Sequence, residues 1–96
     1  MYVNGAIMPG VNKDIKADSF YTFGTLGYLG VKLIDASDSN FREYIFEFTP
    51  SIEGMSLSVT SNFPVYWVKP ITLVKGNLYQ VRIVNGVVSW SEVAMA

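Results

Sequence analysis

Apolar and polar residues alternate along most of the chain with a period of two. In Phe41–Thr49, Tyr44, Phe46 and Phe48 share one side, while Glu43, Glu47 and Thr49 share the other with Phe41 and Ile45. Met55–Thr60 alternates strictly, with Met55, Leu57 and Val59 set against Ser56, Ser58 and Thr60. Successive strand residues point to opposite faces, so both segments predict strands with one buried face. Tyr28–Ile34 and Ser19–Phe23 read as strands on either side of a glycine-rich stretch. Val65–Val68 is a short apolar run between Pro64 and Pro70. Flanking prolines predict an edge strand or one that changes sheet, because proline cannot donate to the ladder.

The strongest local signal lies near the C-terminus. Leu78–Val84 and Val87–Val93 flank Asn85-Gly86. Asn-Gly is the preferred pair for a two-residue type I′ loop, in which both central residues need positive φ. Such a loop sets the register: Val84 opposite Val87, Ile83 opposite Val88, Arg82 opposite Ser89 and Val81 opposite Trp90. Tyr79, Val81, Ile83, Val88 and Trp90 then form a core face. The other face mixes Val84, Val87 and Val93 with Ser89, Ser91, Gln80 and Arg82.

Turn signals sit at Asp35–Asn40, Pro50–Gly54, Ser61–Pro64 and Val74–Asn77. Seven or eight short strands at this spacing predict an all-β protein, an antiparallel β-sandwich of jelly-roll-like type. Val11 and Ile15 also allow one short helical turn. Gly5, Pro9 and Gly10 mark residues 1–17 as an N-terminal arm or linker, leaving residues 18–96 as the sandwich.

Composition sharpens this picture. Val, Ile and Thr make up a quarter of the chain and aromatics another 15%, a strand-forming mixture. Only 16% of the 96 residues are charged, against about 25% in an average soluble domain. Seven basic and eight acidic side chains balance to −1, which argues against a nucleic-acid binder. Histidine and cysteine are both absent, which removes zinc fingers, Cys nucleophiles, Ser-His-Asp triads and disulfide scaffolds. No stretch is long and apolar enough for a spanning helix, and Met1–Gly10 lacks the features of a signal peptide. Neither membrane insertion nor a cofactor is expected.

Few residues suggest chemistry. Glu43 and Glu47 share a strand face about 13 Å apart, too far for a glycosidase pair at about 5–9.5 Å. Asp35, Asp38 and Asn40 offer oxygens for calcium, but without EF-hand spacing; Asx turns explain them better. Asp14 and Asp18 give a similarly weak signal. Gly24, Gly27 and Gly30 do not follow a phosphate-binding pattern and suit a bend, a bulge or a close backbone contact. Tyr66 and Trp67 are adjacent on a predicted strand and so face opposite ways. One of them is a candidate platform for a sugar ring, with core or subunit packing as the other reading.

The charge deficit bears on assembly. A domain this small buries only about 60–65% of its chain surface and needs a polar skin. The C-terminal strands are apolar on both faces, so a second layer is expected from another copy of the chain or a larger assembly, the rival reading being a serine- and threonine-rich surface that uses few charges. Val84, Val87 and Val93 are the candidate contacts, with a trimer as one possible symmetry.

Residues 41–93 resemble segments of bacteriophage virion proteins. The similarity rests on Phe63-Pro64-Val65-Tyr66-Trp67 and on a closing pattern of Gly76, Tyr79, Ile83, Asn85-Gly86 and Trp90. In that family a tight hairpin closes a small β-sandwich found in head fibres, decoration proteins and tail-tip proteins. The resemblance implies a non-enzymatic structural role in the virion, with homo-oligomerisation, contacts to other virion proteins and host-surface glycan as a further partner. It brings no catalytic residue. The rival reading is a carbohydrate-binding module using Tyr66 or Trp67. An enzyme would need carboxylates or lysines brought close in space.

Overall fold

The computed structural model describes residues 10–34 and 42–94. Among them are eight strands and no helix: β1 (Val11–Lys16), β2 (Ser19–Leu26), β3 (Tyr28–Ile34), β4 (Glu43–Pro50), β5 (Ser56–Ser61), β6 (Tyr66–Trp67), β7 (Leu78–Val84) and β8 (Val87–Val93). They form two sheets. Sheet B has the order β1-β3-β5, and sheet A the order β2-β4-β7-β8-β6. Their inner faces share one core, in which Ile15, Leu29, Val31 and Leu33 from sheet B meet Tyr44, Phe46, Phe48, Tyr79, Val81, Ile83 and Val88 from sheet A.

The chain is all-β and sandwich-like, but the strand directions correct the antiparallel expectation. The pairs β1/β3, β3/β5, β2/β4 and β6/β8 are parallel; β4/β7 and β7/β8 are antiparallel. This pairing does not draw the antiparallel jelly-roll connectivity that strand spacing suggests. The cause is the path of the chain, because strands β1 to β6 alternate between the two sheets. Two parallel neighbours need a crossover between them. For β1/β3, β2/β4 and β3/β5 the crossover is a strand of the opposite sheet, whereas β6 and β8 are joined through β7 of their own sheet. Gly27 alone separates β2 from β3. One residue cannot close a hairpin loop within a sheet, which takes at least about two.

The N-terminal boundary also changes. Val11–Lys16, assigned by the sequence to an arm, pair along their whole length with β3. Ile15 is fully buried, so the segment is structural and not a helical turn. Residues 1–9 lie outside the described residues, as do the candidate calcium ligands Asp35, Asp38 and Asn40. Two of the three spaced glycines have local reasons. Gly24 has φ +73° and sits where the β2/β4 register shifts between Thr22 and Thr25, a β-bulge. Gly30 lies beneath the Tyr28 side chain.

Sheet A has two strands more than sheet B, and residues 62–77 cover the difference. Phe63, Val65, Trp67, Ile71 and Leu73 from this strap pack on the core. Tyr66 N–H donates to the Gly86 carbonyl and Val68 N–H to the Val88 carbonyl, which seats β6 on the sheet edge. The flanking prolines are consistent with that edge position.

β7 and β8 join through Asn85 and Gly86, at φ +51° and +87°. The pairs observed are Val84/Val87, Ile83/Val88, Arg82/Ser89 and Val81/Trp90. Asn85 does more than tolerate the turn. Its side-chain oxygen accepts from Arg42 N–H, and its own N–H donates to the Arg42 carbonyl, both at 2.9 Å. A Cβ on Gly86 would stand 2.7 Å from the Pro64 carbonyl oxygen in the strap. Gly86→Val is therefore expected to cost more than about 1 kcal/mol, from backbone strain and displacement of the strap together. A urea denaturation series checks this, and an unchanged midpoint would contradict the assignment.

Candidate functional site

The outer face of sheet A carries most of the candidate contact residues. Register places Glu43, Val84, Val87 and Tyr66 in one row across β4, β7, β8 and β6. Tyr66 is 68% exposed and Val87 44%; Val84 is half-buried. The next outward row holds Phe20, Ile45, Arg82 and Ser89. Phe20 is 55% exposed. These two rows make an apolar surface of Tyr66, Val87, Val84, Ile45 and Phe20, crossed by an ion pair from Arg82 Nε to Glu43 Oε2 at 3.1 Å.

The structure thus gathers Tyr66, Val84 and Val87 but not the other two candidates. Val93 is exposed, yet it pairs with Leu78 at the opposite end of β8. Six strand steps separate it from Val87, about 20 Å. Trp67 falls on the inner face, half-buried against the core. Only Tyr66 of the Tyr66/Trp67 pair is therefore available as an exposed ring. Phe20 was the residue that sequence reasoning missed. Phe20, Tyr21 and Phe23 put aromatics on both faces of β2, so alternation carries no signal for which ring faces out.

Glu43 and Glu47 both lie on this outer face, with separate partners. Glu43 holds Arg82, and Glu47 Oε2 accepts from the Thr22 hydroxyl at 3.3 Å. Among the described residues no group of three or more His, Cys, Asp or Glu is placed to hold a metal ion, and no helix is long and apolar enough to cross a membrane.

A polar node fixes the strap to the C-terminal strands. The buried Tyr79 hydroxyl lies 2.7 Å from Glu92 Oε2 and 3.0 Å from the Thr72 carbonyl, and it accepts from Val74 N–H at 2.7 Å. Asn77 Nδ2 donates to the same Glu92 oxygen at 2.7 Å. Burial, and then the hydrogen bond to Glu92, raise the Tyr79 pKa. The hydrogen bonds from Asn77 and Tyr79 lower that of Glu92, with a smaller contribution from the Lys69 charge. Lys69 Nζ also sits 4.5 Å from the centre of the Trp90 ring, whose Nε1 donates to the Lys69 carbonyl at 3.4 Å.

Compared with known protein families, curated proteins and solved structures, the chain matches none.

The node sets a pH dependence. A carboxylate whose folded pKa is depressed stabilises the fold above its unfolded pKa of about 4.3, and this contribution fades as pH falls through the folded value. Tyr79 works in the opposite range. Its neutral form is favoured, so its contribution is full below about 10 and fades as pH rises through the raised value. Glu92→Gln is expected to be less stable than the parent at neutral pH, with the difference narrowing below about pH 4.3. Chemical denaturation at stepped pH checks this; a gap that stays constant into the acid range would contradict it.

Proposed function

We propose that this protein is a non-enzymatic structural component of a phage particle, as fibre, decoration or tail element, acting through self-association and attachment to other virion proteins. The observation that carries the self-association is the outer face of sheet A. Tyr66, Val84 and Val87 stand in one row, with Ile45 and Phe20 beside them, on a chain that spends few charges on its surface. Exposed apolar residues gathered on one face and rimmed by polar ones are a usual mark of a contact surface. The virion setting comes from the resemblance carried by Phe63–Trp67, Tyr79, Ile83, Asn85-Gly86 and Trp90.

Magnitudes decide whether such a patch suffices. Burial of apolar surface contributes about 25 cal/mol per Å², so about 400 Å² removed from water yields about 10 kcal/mol. Association costs roughly 4–15 kcal/mol in lost freedom and ordering. A contact through this face that removed such an area would fall within that range, and neighbouring virion proteins would add to it. The carbohydrate-module reading retains Tyr66 as its exposed ring, but Trp67 is not beside it.

Val87→Glu places a charge in the centre of the row without touching the core, since Val87 points outward. The variant is expected to remain folded and to lose self-association, read by light scattering over a wide concentration range. A parent protein that stays a 10.7 kDa monomer at its highest soluble concentration would remove the self-association claim. Genes for portal, capsid or tail proteins flanking this one are expected for the virion role; a polysaccharide-utilisation cluster would favour the carbohydrate module.

A further inference from the structure

The outer face of sheet B is of a different character from that of sheet A. Register sets Asn12, Gly30 and Ser58 in one row and Asp14, Lys32 and Thr60 in the next. Every residue here with a side chain is polar. Gly30 is covered by the end of the Tyr28 side chain and by Asn12 Oδ1, and a hollow of about 290 Å³ opens beside them, bounded by these residues with Tyr28, Lys13 and Val31. Small-ligand sites begin near 300 Å³, so the hollow is on the scale of a single monosaccharide.

Tyr28 is built into this hollow. A Cβ on Gly30 would stand 2.6 Å from the Tyr28 phenol oxygen and 2.5 Å from Asn12 Oδ1; one on Gly10 would stand 2.8 Å from Tyr28 Cβ and Cδ2. Glycine at both positions lets the side chain lie close along the sheet. The phenol then donates to Asn12 Oδ1 at 3.0 Å, which fixes the ring. An aromatic side chain laid over a sheet glycine also has a structural use, because it shields the exposed backbone. That use explains the ring. A solvent-facing strand face accounts for each polar side chain singly; what it leaves is the convergence of a carboxylate, an amide, an ammonium and two hydroxyls on one opening.

We propose that this hollow binds one uncharged pyranose ring. A sugar offers an apolar C–H surface and a rim of hydroxyls that both donate and accept. Tyr28 supplies the apolar contact, pre-ordered by its hydrogen bond. Asp14 accepts, Lys32 donates, and Asn12 and Ser58 do both. Thr60 already donates to the Val31 carbonyl at 3.3 Å, so its oxygen is left to accept from the ligand. A shallow site that meets one ring through a few polar contacts is expected to bind weakly, and multiple copies in an assembly would raise the avidity. The site lies on the sheet opposite the proposed assembly face and does not depend on it.

The test is titration of the full ¹⁵N-labelled chain with the methyl glycosides of glucose, galactose, mannose and N-acetylglucosamine, each into the tens of millimolar. At least one is expected to give saturable amide shifts confined to residues 12–14, 28–32 and 58–60. Tyr28→Ala is expected to weaken binding at least tenfold, while Tyr28→Phe keeps the ring and binds within a few-fold of the parent. Because Tyr28→Ala also uncovers Gly30 and can unfold the sheet, Asp14→Ala serves as the second variant; Asp14 is exposed, so the fold is kept and the affinity falls. The proposal is overturned if no glycoside shifts these residues, if the shifts instead centre on Tyr66, or if Asp14→Ala binds as the parent does.

Discussion

Six aromatic rings run in unbroken contact across the inner face of sheet A, and the rest of the structure is arranged to cover them. Tyr21 stacks on Phe23, Phe23 meets Phe46 edge-on, Phe46 stacks on Phe48, Phe48 on Tyr79, and Tyr79 leans on Trp90, with centroid separations of 5.8 to 6.2 Å. The series crosses β2, β4, β7 and β8 in turn. Such pairs add about 0.5–1.5 kcal/mol each beyond the area they bury. A face this apolar cannot be left wet. Sheet B has too few strands to cover it all, so the strap is drawn over β7 and β8, and Phe63 stacks on Tyr44 from above. The Tyr79 hydroxyl, reaching out of the core, ties the strap in place through Thr72, Val74 and Glu92.

With the inner faces spent on the core, the two outer faces are left for contacts, and they differ. Sheet A presents an apolar row broken by one ion pair. Sheet B presents hydroxyls, an amide and opposite charges around a glycine. The difference lies in the residues between the core positions: Ile45, Val84 and Val87 alternate with core residues on β4, β7 and β8, whereas Gly30, Lys32, Ser58 and Thr60 do so on β3 and β5. The proposed assembly face and the proposed ligand hollow thus lie on opposite sides of the core.

Much of this was legible in the alternation of residues. Tyr44, Phe46 and Phe48 are buried as their spacing requires, and Val84/Val87 and Val81/Trp90 pair as an Asn-Gly loop dictates. What alternation cannot report is which sheet a strand joins, or in which direction it runs. Val11–Lys16 carries three charged residues and reads as a linker; Val11 and Ile15 are its apolar inward residues, and their neighbours come from β3, eighteen residues along the chain. The one usable clue to the parallel pairing was Gly27, a link too short for a hairpin. Phe20 was illegible because β2 has rings on both faces. The hollow beside Tyr28 depends on three strands that meet only in the folded state, so its residues had no common signature in the sequence.

The central claim is that consecutive strands alternate between sheets, so that β2 lies parallel to β4 beneath the aromatic series. Backbone NOEs in isotopically labelled protein test it most directly. The account requires Ser19 to lie beside Tyr44 and Thr22 beside Glu47, with Phe46 beside Val81 on the other edge of β4. Contacts of Ser19 with Glu47 and of Thr22 with Tyr44 would mean an antiparallel pair, and would contradict the fold on which both outer faces depend.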